Sequence, residues 1–280
     1  MSTAYAISES DDAILVTGEA QDLAAIVRSE LQAVIHIPPT PPAWLAEIAA
    51  AVEEGRLRLP RTVLPYATRD DIAAWLEQHV EAAVIAEPTR SSLIQDILGL
   101  TDRLAAAVQA CAAVRARRFM LRIFTEAPTT KCGFHVDTVP PAAPAFGLLR
   151  VYNGAGTLYV EPANVTSMAD FYSDLGQRER LARKRGKIPR DRDPEVFERL
   201  EREIAAHDAA RAFLRRPHEI AEAPAGSIIA FKHIDVRHYR TDHPKTMAWI
   251  HCSPMTGSPR LVVNLTVPQP SQSRIMPLPA

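Results

Sequence analysis

A histidine and an aspartate stand two positions apart in Cys132-Gly-Phe-His-Val-Asp-Thr-Val-Pro140. In an extended strand, residues i and i+2 face the same side. His135 and Asp137 can therefore present an imidazole and a carboxylate to one cation. A second histidine would complete the two-histidine, one-carboxylate face of non-haem Fe(II) oxygenases, which leaves coordination positions open. His251 is the best candidate, because it ends the apolar run Thr246-Met-Ala-Trp-Ile-His251 just before Ser253 and Pro254 turn the chain. Beyond that turn, Arg260 opens another apolar run. A planar guanidinium suits a bidentate grip on a carboxylate. A 2-oxoglutarate site needs such a cation for the far carboxylate of a keto acid whose other end chelates iron. Tyr152 and Arg122 lie on neighbouring expected strands and are further candidates for holding keto acid or substrate.

Other residues compete for these roles. His233, His238 and His243 cluster in Lys232-His-Ile-Asp-Val-Arg-His-Tyr-Arg-Thr-Asp-His243, which reads as an exposed polar loop. His238 is the rival for the distal ligand. Cys132 and Cys252 each neighbour a proposed ligand and read as ordinary small residues, with a soft metal ligand as the sharper alternative.

Several elements must position this set. Asp22–Leu31 has helical spacing, with Asp22 as a possible N-cap. Ala33–Pro38 reads as a short strand. Pro42 and Gly55 bracket a helix over 43–54. Thr68 and Asp71 are spaced like a capping box for a helix over 70–83, and a fourth helix is expected over 101–113. Strands are expected at 119–125 and 146–152, and Asn153-Gly-Ala-Gly156 reads as a turn leading to a hairpin partner at 157–160. Residues 165–216, rich in Arg, Glu and Ala, read as a helical insertion with solvated charges. Strands resume at 228–232, 246–251 and 260–266. The expected organisation is a mainly helical N-terminal region over 1–117 packing on a core, the core over 118–268 with its insertion, and a loose tail over 269–280.

His135-Val-Asp137, the turn Asn153-Gly-Ala-Gly-Thr-Leu-Tyr159, Gly226-Ser-Ile-Ile-Ala-Phe231, His251 and Arg260 occur in the order found in Fe(II)/2-oxoglutarate-dependent dioxygenases, which the chain resembles. The stretches 132–140, 148–157 and 251–254 are similar to the DUF1826 family, for which no activity is implied. The first resemblance implies an α+β fold whose core is a double-stranded β-helix (a cupin-like jelly roll). It also implies Fe(II) held by His135, Asp137 and His251, 2-oxoglutarate as co-substrate, and O2-dependent oxidation of a small molecule or peptide. A cupin-like metal enzyme that does not use 2-oxoglutarate, and a non-catalytic metal-binding protein, remain the alternatives.

Bulk properties narrow the field. A formal net charge of -1 gives no global basic field, so no nucleic-acid partner is expected. Three cysteines without a CxxC pair argue against a zinc ribbon. The acidic start Ser8-Glu-Ser-Asp-Asp12 is unlike a secretory signal, and no apolar run approaches a membrane span. A cytoplasmic location is the expectation.

Overall fold

The computed structural model describes residues 13–268 apart from 82, 113–115, 130–132 and 142–143. Cys132, the acidic stretch 8–12 and the expected tail at 269–280 lie outside the described residues. The α-helices are α1 (Ala43–Glu53), α2 (Arg69–Val80), α3 (Glu87–Ala112), α4 (Met168–Gly186) and α5 (Pro194–Ala210). The strands are β1 (Ile14–Thr17), β2 (Ala33–His36), β3 (Thr62–Ala67), β4 (Phe119–Glu126), β5 (Thr138–Val139), β6 (Phe146–Val151), β7 (Thr157–Tyr159), β8 (Ala221–Ala223), β9 (Ile228–Lys232), β10 (Ile234–Asp235), β11 (His251–Cys252) and β12 (Arg260–Thr266). The fold is α+β with a large, mostly antiparallel sheet.

That sheet has seven strands in the order β1-β2-β9-β6-β12-β4-β3. A smaller sheet runs β11-β7-β8, and β5 pairs in parallel with β10. Because alternate strand residues face opposite ways, the large sheet has two distinct apolar faces. Leu148, Ala230, Leu261, Val263 and Leu265 face α1, α2 and α3, where they meet Ile48, Leu76 and Ile97 in the main core. Leu149, Val151, Ile229, Phe231 and Val262 face the other way and pack with Tyr159, Ala223 and Trp249 of the small-sheet layer. The far side of that layer is covered by α4, through Met168, Phe171, Tyr172 and Leu175. The inner core between the two sheets is the space that the metal candidates border.

Local signals explain most helix boundaries. Thr68 and Asp71 form the capping box of α2, each side chain bonding the other's backbone N–H at 2.8 and 3.1 Å. Gly55 takes φ +73 just past α1, a conformation that glycine alone adopts without strain. Helix α3 begins at Glu87, well before the expected Thr101. Pro88 lies in its first turn, where a missing N–H costs nothing. The segment expected as a helix over 22–31 is instead a 3-10 turn, Ala20–Val27. There Asp22 accepts a hydrogen bond from the Thr17 hydroxyl at 2.6 Å instead of capping a helix.

Two strand expectations are corrected. β7 is not the hairpin partner of β6. The chain crosses at 153–156 from the large sheet to the small one, where β7 pairs with β11 and β8. Glycine is needed at that crossing, because a Cβ on Gly156 would lie 1.8 Å from the Ala223 carbonyl oxygen. The expected strand over 246–251 is a 3-10 turn at Lys245–Met247 followed by extended chain. His251 therefore begins β11 instead of ending a strand.

Candidate metal centre

Backbone pairing sets the site. The His135 N–H donates to the His251 carbonyl at 2.9 Å, and the His251 N–H returns a bond to the His135 carbonyl at 3.0 Å. This isolated bridge brings the two rings to a centroid distance of 4.5 Å. Asp137 follows two residues later, its carbonyl accepting the Ile234 N–H at 2.8 Å. One ligand atom each from His135, Asp137 and His251 lie within 4.8 Å of one another. The three residues expected from spacing are thus gathered at one point.

The donor set fits a cation. His135 Nδ1 lies 2.9 Å from the Gly133 carbonyl oxygen, and His251 Nδ1 lies 3.1 Å from that of Trp249. A carbonyl only accepts, so both protons sit on Nδ1. The basic nitrogen of each ring is then Nε2, and His135 Nε2 is 3.7 Å from Asp137 Oδ1. A backbone carbonyl that fixes the tautomer and ring orientation of a ligating histidine is the usual supporting arrangement of metal sites. His251 also stacks on Trp249 at 4.5 Å and 15°.

Electrostatics point the same way. Burial pushes the Asp137 carboxyl up, but His251, His233, His135 and Arg122 together outweigh it and hold the pKa at about 2. Burial and the neighbouring His135 drive the His251 imidazole down to about 4, against the pull of Asp137. At neutral pH Asp137 is thus an ionised carboxylate and His251 a neutral imidazole, the protonation states that metal binding requires of these groups.

The other candidates separate. Arg122 sits on β4 opposite Asn264 of β12, and its charge acts on both Asp137 and His233. Arg260 is buried at the start of β12, on the same strand face as Val262, Asn264 and Thr266. Its Nη1 donates to the carbonyls of Ala155 and Gly156 at 2.9 and 3.4 Å, and its Nε has no partner. Tyr152 is not near the triad. It belongs to the helix-side core and donates its hydroxyl to Asp96 of α3 at 2.6 Å, because position 152 falls on the outer face of its strand.

The second histidine cluster splits three ways. His238 is exposed and is no rival to His251. His243 is buried, its Nε2 2.8 Å from the Tyr172 hydroxyl, and ties the 236–244 loop to α4. His233, expected in an exposed loop, is buried at 2% exposure, and its Nε2 is 4.0 Å from Asp137 Oδ2. Its adjacency to the apolar run Ile228–Phe231, with the same alternation as Ile229 and Phe231, is the signal that marks it as inward-facing.

The triad is open on one side. The His135 and Asp137 side chains are 27% and 23% exposed, whereas His251 is 5%. A cavity of about 330 Å³ borders His135, lined by Gly133, Leu175, Arg178, Arg183 and Tyr239 among others, so α4 of the insertion forms one wall. Arg178 is clamped by Asp208 of α5 at 2.6 and 2.9 Å and lies directly against Gly133. No helix among the described residues is long and apolar enough to cross a membrane.

Comparison with known proteins gives a family and distant structural likenesses. A rice dioxygenase for auxin oxidation is 12% identical, with 92% of this chain and 83% of that one covered at a TM-score of 0.41. Dioxygenase for auxin oxidation 1 from Arabidopsis thaliana, solved with 2-oxoglutarate, is 10% identical, with 92% of each chain covered at 0.40. A Pseudomonas putida prolyl-4-hydroxylase is 13% identical, with 84% and 96% covered at 0.31. Likenesses at these scores are too distant to transfer an activity. No curated protein matches the chain. The model of the family described as "Protein of unknown function (DUF1826)" matches residues 17–265, nearly the whole chain, and the protein belongs to that family.

Proposed function

We propose that the protein is a non-haem Fe(II)/2-oxoglutarate-dependent oxygenase whose core is a double-stranded β-helix. The observation that carries this reading is the convergence of His135, Asp137 and His251 within 4.8 Å, each imidazole turned by a backbone carbonyl, with one side of the site open. Three protein ligands on one face leave positions for other ligands, as an oxygenase requires and a closed structural site does not. The strand order supports the β-helix. β9-β6-β12-β4 lies against β8-β7-β11, with residue 135 bridging to β11.

When bound, Fe(II) and the keto acid supply O2 activation and oxidation of a substrate C–H bond. The chain supplies position and exclusion of water. His135, Asp137 and His251 would hold the metal. Arg260, buried at the start of β12, would offer its guanidinium to the far carboxylate of the keto acid. Arg122, whose charge reaches Asp137, suits the nearer carboxylate or the substrate. Leu149, Val151 and Val262 line the dry interior. The substrate, a small molecule or peptide, enters by the cavity between His135 and α4.

Anaerobic titration of the Fe(II) protein with 2-oxoglutarate tests this. A visible metal-to-ligand charge-transfer band is expected, and a folded, iron-loaded protein that gives none overturns it. One observation favours a metal enzyme without keto acid, namely that Arg260 Nη1 is already bonded to two carbonyls. The same titration separates the two readings.

A further inference from the structure

His233 is a buried polar side chain that neither the triad nor the keto-acid scheme uses. It follows β9 directly and turns its ring toward the inner core. Its N–H donates to the Ala145 carbonyl at 2.8 Å, and the next residue, Ile234, donates to the carbonyl of Asp137. The main chain therefore fixes His233 and Asp137 relative to each other. The ring is held edge-on to Phe231, with centroids 4.8 Å apart. On another side its Cε1 faces Gly147, where a Cβ would come within 2.9 Å of it. That same Cβ would lie 2.8 Å from the Leu265 carbonyl oxygen, which belongs to backbone and cannot step aside. Gly147 thus leaves the room that the imidazole fills.

Neither ring nitrogen of His233 has a hydrogen-bond partner, although the residue is only 2% exposed. A buried polar group left in that state is costly, so a partner is expected within reach. An acceptor close by is Asp137 Oδ2, 4.0 Å from His233 Nε2. The other oxygen, Oδ1, faces His135 Nε2 at 3.7 Å. Each carboxylate oxygen thus faces a different histidine.

We infer that His233 is a positioning residue. Its Nε2–H donates to Asp137 Oδ2, so that the carboxylate offers Oδ1 alone to a cation. A carboxylate held this way binds through one oxygen, which keeps a coordination position open. The inference rests on the metal reading of the triad but not on use of a keto acid.

Titration of the metal-free protein with Co(II) alone tests it. His233→Leu removes the donor with little change of volume, and His233→Gln keeps an N–H donor. Loss of an outer hydrogen bond to a ligating carboxylate costs about 10- to 100-fold in metal affinity. His233→Leu is expected to weaken Co(II) by that amount and to change the intensity of the visible d–d bands, with His233→Gln restoring most of both. Unchanged affinity and spectrum in His233→Leu overturn the inference while leaving the triad intact. Wild-type protein that binds no Co(II) removes the triad reading and this inference together. If His233→Leu does not fold, long-range 15N–1H correlation on the wild-type Zn(II) protein decides the matter. An Nε2–H tautomer of His233 is expected there, and an Nδ1–H tautomer overturns the proposal.

Discussion

His135 and His251 exchange both of their backbone hydrogen bonds across an isolated bridge, so the two imidazoles are placed by main chain before any metal arrives. Each also donates from Nδ1 to the carbonyl two residues upstream, Gly133 and Trp249. Removing one ring should therefore empty the metal site without dismantling the sheet. His251→Ala and Asp137→Ala are each expected to weaken Co(II) or Fe(II) binding by at least about 100-fold while far-UV circular dichroism stays native. Retention of metal by either variant would exclude this triad.

The arginine and tyrosine candidates predict different losses. Arg260→Met is expected to raise the dissociation constant for 2-oxoglutarate by about 10- to 100-fold, the worth of a charge-assisted hydrogen bond, with metal affinity little changed. Tyr152→Phe should leave keto-acid binding untouched. It should cost about 1 to 2 kcal/mol of stability, because its hydroxyl bonds Asp96 inside the helix-side core. Calorimetric titration paired with urea unfolding separates the two. A keto-acid defect in Tyr152→Phe would contradict the outward placement of that ring.

Much of this site was legible from residue types and spacing. His135, Asp137 and His251 are drawn together, the first two by their spacing of two and His251 by its backbone bridge to His135. Legibility failed where tertiary context decided. Tyr152 looked as close to the metal loop as any residue of its strand, but one step of alternation turned it to α3. β7 looked like a hairpin partner because Asn153-Gly154 is a turn signal, and Gly154 does take φ +74, yet the turn hands the chain to the other sheet. His233 was hidden among polar neighbours. Asp235, Arg237 and His238 made the whole stretch resemble a loop, although the alternation that turns Ile229 and Phe231 inward carries on to His233.

Acid should destabilise the metal-free protein in a defined window. Burial lowers the pKa of His233, and burial with the nearby His135 lowers that of His251, in each case from 6.5 to about 4. The unfolded chain takes up protons at these residues near pH 6.5, and the folded chain does so only near 4. Stability from this source is complete above about pH 6.5 and falls as pH drops toward 4. Asp137, held at about 2, adds a second loss between about 4 and 2. Tm of the metal-free protein should be clearly lower at pH 5 than at pH 7.5, and a flat profile over that range would show these histidines to be solvated.

Replacing Gly156 with alanine should be among the most damaging changes in the chain. The added Cβ meets the Ala223 carbonyl oxygen at 1.8 Å, and that oxygen belongs to β8 backbone. Overpacking against rigid backbone costs about 1 to 3 kcal/mol or more. Chemical denaturation should show that loss, whereas Gly186→Ala, with nothing within 4 Å of its Cβ, should be nearly neutral.

β12 lies between β4 and β6 although it is the last strand among the described residues. During synthesis those two strands emerge with no partner between them, and they must wait for residues 260–266 to be released. His251 also comes late, after the whole helical insertion has been made. The candidate ligands His135 and Asp137 thus precede the third on the nascent chain. The three candidate ligands can meet only once β11 has been made, and the large sheet closes only when β12 enters its middle. A chain that stops before residue 260 cannot close its large sheet.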